Sequence, residues 1–313
     1  MPTVSLTVVL AFFANLAVAV AKTVAAVLTG SASITAEAAH SWADAGNEVF
    51  LLIADRRGAA KRDAEHPLGY GRETYFWSTI AAFGLFTAGA VVSVWHGIQE
   101  LLVPERSGQF WIAYLVLGIS TIFEGVSFTQ ALREARGAAK ERGTPTLEHV
   151  LRTSNPTLRA VFAEDSAALA GLAIAFLGVL LHQLTGNAAF DAIGSILVGV
   201  LLGVVAVVLI ERNRRFLVGQ ETSQGLTDAV VASLLEHPDI ERVTYLHLEF
   251  VGPSRLFLVA AVDLTGDDPE SRLAVRLRRV ERQIESREVI EEAVLTLSIP
   301  EEPALTTDRA PLR

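Results

Sequence analysis

Apolar stretches of about 20 residues recur through the first two-thirds of this chain, and a helix of that length matches the hydrocarbon core of a bilayer. Six of them read as spans: about Leu6 to Leu28, Ile34 to Ala54, Thr74 to Leu102, Phe110 to Leu132, Leu158 to Leu181 and Ala188 to Ile210. Backbone N–H and C=O groups find no partners in lipid, so each such stretch has to close its own hydrogen bonds as a helix. The chain is 51% hydrophobic and its mean hydropathy is +0.39, too apolar for most soluble chains of 313 residues. The first stretch has no basic segment before it and a second span follows at once, which does not fit a cleaved signal peptide.

Charge places the loops. Arg56, Arg57, Lys61, Arg62 and Arg72 lie between spans two and three. Arg133, Arg136, Lys140, Arg142, Arg152 and Arg159 cluster between spans four and five, and Arg212, Arg214 and Arg215 follow span six. The opposite loops hold only Arg106. Basic loops stay on the cytoplasmic side, so the expectation is a multi-pass protein of the cell inner membrane with both termini cytoplasmic.

After Arg215 the pattern changes to that of a soluble domain. Leu226 to Leu235 reads as an amphipathic helix, Arg242 to Phe250 as an alternating strand, Gly252-Pro253-Ser254 as a turn and Leu256 to Leu264 as a second strand. Asp268 is the expected N-cap of a helix with Pro269 in its first turn, ending near Ser286, and Ala293 to Ile299 is a third strand. The expected fold class is therefore an α-helical membrane protein: six transmembrane helices over residues 1–213, a cytoplasmic α+β domain over 214–300, and a disordered tail over 301–313.

The chemistry sits inside the spans. Span two contains Glu37-Ala38-Ala39-His40-Ser41-Trp42-Ala43-Asp44-Ala45-Gly46-Asn47-Glu48. His40 and Asp44 are four residues apart and share a helix face, roughly 5–6 Å apart at Cβ, with Glu48 one turn further on. An imidazole and a carboxylate at that spacing can share a divalent cation. Each ionisable group in hydrocarbon costs about 2.5–3.5 kcal/mol on insertion scales, so several in one span point to use. Span five adds Glu164 and Asp165, about 100° apart around the helix. Asp165 is the first choice for a metal; Glu164 reads as a second ligand, a proton carrier or a supporting group. Glu124 in span four divides between ion passage and an interhelical hydrogen bond. Asp191 reads as a charge at the start of span six interacting with the helix dipole. Lys22 in span one reads as a partner for one of these acids or as a side chain reaching the interface. His96, Glu100 and His182 stand near the outer ends of their spans, and His149, His237 and His247 read as surface or domain-interface histidines.

What is missing excludes other classes. The absence of cysteine removes disulfides, thiolate metal sites and thiol nucleophiles. A net charge of -9 argues against nucleic acid as a partner. Asp44 and Asp165 could pair as an intramembrane aspartyl hydrolase, but no Gly-x-Gly-Asp element accompanies them, and the His-Glu-x2-His of a metalloprotease is absent.

Three further segments complete a pattern: Leu28-Thr29-Gly30-Ser31-Ala32-Ser33 before the His-x3-Asp of span two, His66-Pro67-Leu68-Gly69-Tyr70-Gly71-Arg72-Glu73 before span three, and Phe190-Asp191-Ala192-Ile193-Gly194-Ser195 opening span six. With a cytoplasmic α+β domain after them, they resemble the cation diffusion facilitator family over about Leu6 to Ile299. The resemblance implies a homodimeric exporter of divalent metal, usually zinc, in exchange for protons, not an enzyme, with a ferredoxin-like, metallochaperone-like cytoplasmic domain. It implies no resident cofactor: the metal is cargo. The tetrahedral site it implies falls on His40 and Asp44 from span two and on Asp165 from span five. The fourth position falls on Val161, which has no donor atom. Glu164 beside Asp165 resembles the branch that includes the mitochondrial zinc transporter of animals. A second implied site falls on Asp63 and His66, with Tyr70 where the pattern has a histidine. The acid-rich donor set ranks zinc first, with cobalt, iron or manganese behind it. A transport-inactive membrane scaffold of the same fold is the remaining alternative, with Val161 as its sign.

Overall fold

A computed structural model describes residues 6–103, 110–141, 143–219 and 222–306. The described residues divide into two compact units, one from the residues up to Arg56 together with Thr74–Arg214, the other from Arg57–Glu73 together with Arg215 onward.

The first unit is helical. Helix α1 covers Leu6–Thr29 and stops at Gly30, whose φ of 64° lies in the left-handed region open to glycine. Helix α2, Ala32–Gly58, follows after a two-residue break, Gly30-Ser31. Span three is not one regular helix. It runs as α3, Gly71–Ala81, a π-helical turn at Ala82–Phe86, and α4, Thr87–Leu102. Helix α5, Phe110–Glu141, continues more than two turns past its expected end at Leu132. A short helix α6, Thr146–Arg152, then precedes α7, Pro156–Thr185. Asn155 caps α7 by accepting from the N–H groups of Thr157 and Leu158, and Pro156 occupies the first turn, where no N–H is missed. Helix α8 covers Ala189–Leu217.

Four helical segments are long and apolar enough to cross a membrane among the described residues: Gly71–Leu102, Phe110–Lys140, Pro156–Thr185 and Ala189–Leu217. Helices α1 and α2 have 24 and 27 residues. The polar face of α2 dilutes its apolar character, and the apolar segment of α1 found there is Asn15–Thr29.

Helix α2 is the centre of this unit. On one side Ile34 packs with Ala25, Ala26, Leu117, Leu172 and Val179. On the other Ala36 packs with Phe86, Val198, Leu202 and Leu209. Its N-terminus is held by a residue far away in sequence. Asp191 of α8 accepts from the backbone N–H groups of Ala32 at 2.9 Å and Ser33 at 3.2 Å, and Ser33 Oγ donates back to the Asp191 carbonyl at 2.7 Å. The sequence reading placed Asp191 on the dipole of its own helix. The structure turns the carboxylate to the free N–H groups of α2, which have no intrahelical acceptors. Glycine makes room for this junction: a Cβ on Gly178 would lie 2.8 Å from Ser33 Oγ.

In the second unit, α9 (Gln224–Leu235) precedes a three-stranded sheet of order β1-β2-β3. Strands β1 (Ile240–Gly252) and β2 (Arg255–Leu264) are antiparallel; β3 (Ile290–Leu297) runs parallel to β2 after the crossover helix α10, Glu270–Glu285. The core lies where α9 and α10 cover one sheet face, with Val231, Leu234, Val243, Leu258, Val262, Val280 and Leu295 buried in it. The N-cap of α10 differs from the expectation. Pro269 holds that position without a side-chain cap. Asp268 is drawn instead to Arg276 Nη1 at 2.8 Å, whose Nη2 also reaches Asp239 at 2.9 Å. Nor does disorder begin at Glu301. Arg242 donates to the carbonyls of Pro300 and Glu302, Thr244 Oγ1 to Glu302, and the Leu305 N–H to the Val243 carbonyl, so this segment lies along the free edge of β1. Residues 307–313 lie outside the described ones.

Candidate metal site

Glu37, His40, Asp44 and Asn47 are buried on α2, and Glu164 and Asp165 are buried on α7. His40 is 1% exposed. Its Nε2 lies 3.3 Å from Asp44 Oδ2, the pairing expected one turn apart. Neither that Nε2 nor Asp44 Oδ1 has a hydrogen-bond partner. Buried polar atoms are almost always paired, so an unpaired nitrogen and an unpaired oxygen on adjacent turns stand out as free lone pairs.

The two acids of α7 point to different neighbours. Glu164 accepts a short hydrogen bond from Asn47 Nδ2, on the face of α2 that carries Asp44. Asp165 Oδ2 accepts from Ser127 Oγ of α5 at 2.9 Å. Asn47 sits three residues after Asp44 and Ser127 three after Glu124, so helical spacing alone could have flagged both. Glu48, half-buried, accepts from Asn15 Nδ2 of α1 at 2.6 Å, and its Oε2 is buried without a partner. Glu124 is half-buried on α5. Val161 lies one turn before Asp165, half-buried. Among the described residues, no three His, Asp or Glu side chains already converge tightly enough to hold a metal ion.

The loop residues Asp63, His66 and Tyr70 do come together, but with each other. Asp63 Oδ1 accepts from the backbone N–H groups of Glu65 and His66, and its Oδ2 accepts from Tyr70 Oη at 2.7 Å. The His66 and Tyr70 rings lie 4.0 Å apart between centroids. The tyrosine thus uses the Asp63 oxygen that a metal would need, and holds the Asp63 carboxyl below the usual carboxylate range, with the backbone bond from His66 adding to it. Among its described residues, the second unit assembles no donor set either. His237 is engaged by Gln283 at 2.7 Å and by the N–H of Asp239, while Asp263 pairs with Arg242 at 3.0 Å.

Residues 8–218 match the family described as the cation efflux transmembrane domain. The chain is 35% identical over 233 residues to metal tolerance protein C4 of Arabidopsis thaliana, covering 74% of this chain and 51% of that protein. It is 34% identical over 245 residues to the mitochondrial proton-coupled zinc antiporter SLC30A9 of Xenopus laevis, covering 78% of this chain and 44% of that protein. The zinc transporter ZitB of Pectobacterium atrosepticum is 24% identical over 92% of this chain and 83% of its own length. The chain thus spans about half of the plant and animal relatives. Family and apolar helices together make it an integral, multi-pass membrane protein, and a transporter type rather than an enzyme. With its match extending over two-thirds of the sequence, the chain belongs to the cation efflux family, the cation diffusion facilitators, and resembles the branch of the animal mitochondrial zinc transporter.

Proposed function

We propose that this protein exports divalent metal cations, zinc first, in exchange for protons. The observation that carries this reading is the buried His40–Asp44 pair, with an unpaired nitrogen and an unpaired oxygen, facing the Glu164 side of α7. The loading site consists of His40, Asp44 and Glu164, with Asp165 as the fourth group. The geometry favours Glu164 as the α7 donor nearest α2, since Asp165 is held by Ser127. Val161 needs no replacement at its own position, because the adjacent acids of α7 supply two carboxylates. One nitrogen with two or three oxygens suits zinc, and behind it cobalt, iron or manganese.

Loading breaks the Asn47–Glu164 hydrogen bond and replaces it with a metal–oxygen bond. Metal and protons compete for the same lone pairs. A deprotonated site binds metal from the cytoplasm, and protons arriving from the other side release it. Glu48 and Glu124, flanking the site, are the groups placed to pass those protons. The reading includes six crossings with both termini cytoplasmic, a location in the cell inner membrane, a homodimer, and a ferredoxin-like fold for the cytoplasmic α/β unit. The names of the relatives support zinc and proton coupling for those proteins, and neither the hydrolase nor the scaffold alternative gains a supporting observation.

Equilibrium binding of Zn²⁺ to purified protein tests the site. His40→Ala and Asp44→Asn should each weaken binding by about a hundredfold, roughly 3 kcal/mol for one lost ligand, while circular dichroism stays unchanged. Wild-type affinity in folded His40→Ala protein would overturn the assignment.

A further inference from the structure

The loading site leaves one buried ion pair unused. Lys22 of α1 and Glu37 of α2 are both 0% exposed, with Nζ 3.0 Å from Oε2. A pair so deeply buried is weak evidence for added stability, because desolvating both charges offsets their attraction. Half of the carboxylate is also unspent: Glu37 Oε1 is buried without a partner. That oxygen rests in a notch on α7 left by Gly171, where a Cβ would stand 2.5 Å away. Glu37 lies one turn before His40 on the same helix. The other fully buried cation among the described residues, Arg159, is engaged with the Thr153 carbonyl and Asn213.

We propose that Lys22 is a tethered counter-cation of the metal site, holding Glu37 out of the coordination set and keeping the affinity low enough for the cargo to leave. The inference rests on the loading site proposed above. The carboxylates of Glu37, Asp44, Glu48, Glu124, Glu164 and Asp165 would otherwise present a divalent cation with a trap rather than a way station. A fixed positive charge paired with Glu37, itself one turn before His40, repels the cation at every stage, and neutralising Glu37 prevents that acid from becoming an extra ligand. Lys22 is thus a positioning residue that acts through Glu37 and through its own charge.

The test is a Zn²⁺ titration of the purified full chain against a chromophoric chelator at fixed pH and salt. Lys22→Met should bind zinc about tenfold tighter, because a like charge is gone from a low-dielectric site. Glu37→Gln should bind about tenfold more weakly, because Lys22 then stands unneutralised. The double variant should return close to wild type. In liposomes Lys22→Met should release zinc more slowly despite its tighter binding. A purely structural pair would give single variants that both bind more weakly or both bind unchanged, and either result overturns the proposal. If Lys22→Met does not fold, Lys22→Gln takes its place with the same expectation: tighter binding supports the proposal, and weaker or unchanged binding overturns it. If wild-type and His40→Ala proteins bind zinc alike, the loading site itself is wrong and this inference falls with it. That outcome is recognisable because it appears before Lys22 is touched.

Discussion

The individual residues of the site divide by whether sequence spacing can expose them. His40 and Asp44 are legible because a four-residue interval on any helix brings them to one face, and 3.3 Å is the result. Glu164 and Asp165 are legible as candidates, but not in their ranking. Which of two adjacent acids faces α2 depends on the rotation of α7, and that is settled by Asn47 on one side and Ser127 on the other. The partner of Lys22 was equally hidden among several acids until α1 and α2 were placed side by side. At this scale Glu164→Gln should weaken zinc binding more than Asp165→Asn, read by the same titration; the reverse order would return Asp165 to first place. The loop makes a second residue-scale prediction. Asp63 is held below its ordinary range chiefly by Tyr70. A carboxyl lowered in the folded state contributes stability above its unfolded value and loses it as pH falls through its folded one. Tyr70→Phe should therefore raise the Asp63 titration midpoint in an NMR pH series and move the acid-side loss of loop order to higher pH. An unmoved midpoint would show that Tyr70 does not hold the carboxylate.

At the level of elements, apolar length and period carried most of the fold, and the departures have local causes. The π-helical turn at Ala82–Phe86 leaves no mark in hydropathy because it keeps the same apolar content, whereas the overrun of α5 to Glu141 passes through charged residues that end the apolar stretch without ending the helix. Helix α6 falls in a basic loop whose few turns are too short for a periodic signal. Asp268 failed as a cap because Arg276 offers it a charged partner, and an ion-assisted hydrogen bond outcompetes a neutral backbone N–H. The Asp191 junction joins residues 159 and 158 positions apart in sequence, beyond any local pattern. Asp191→Asn keeps an acceptor but loses its charge and one acceptor oxygen, and Asp191→Ala loses both N–H partners. The alanine variant should cost about 1–2 kcal/mol, seen as a lower melting temperature in detergent, with the asparagine variant between it and wild type. Equal stability of all three would mean that water serves the α2 N-terminus as well. In the soluble unit, Leu258→Ala removes a buried side chain from the central strand and should cost about 2–5 kcal/mol by chemical denaturation.

Taken whole, the chain carries a helical unit with a buried cluster of acids and a small α/β unit with its own core, and each has a separate physical logic. Under the proposed exchange, the helical unit accepts the cost of buried charge because competition between metal and proton requires ionisable groups away from bulk water. The central proposal is that this acidic cluster couples the two fluxes. Purified protein in liposomes, with a metal-sensitive dye inside and an imposed pH gradient, tests it directly in a stopped-flow experiment with Zn²⁺, Co²⁺, Fe²⁺ and Mn²⁺. The account predicts Zn²⁺ flux that collapses when the pH gradient is dissipated and that is lost in His40→Ala. Folded wild-type protein that moves none of these metals, or moves zinc at the same rate with no gradient, would contradict it.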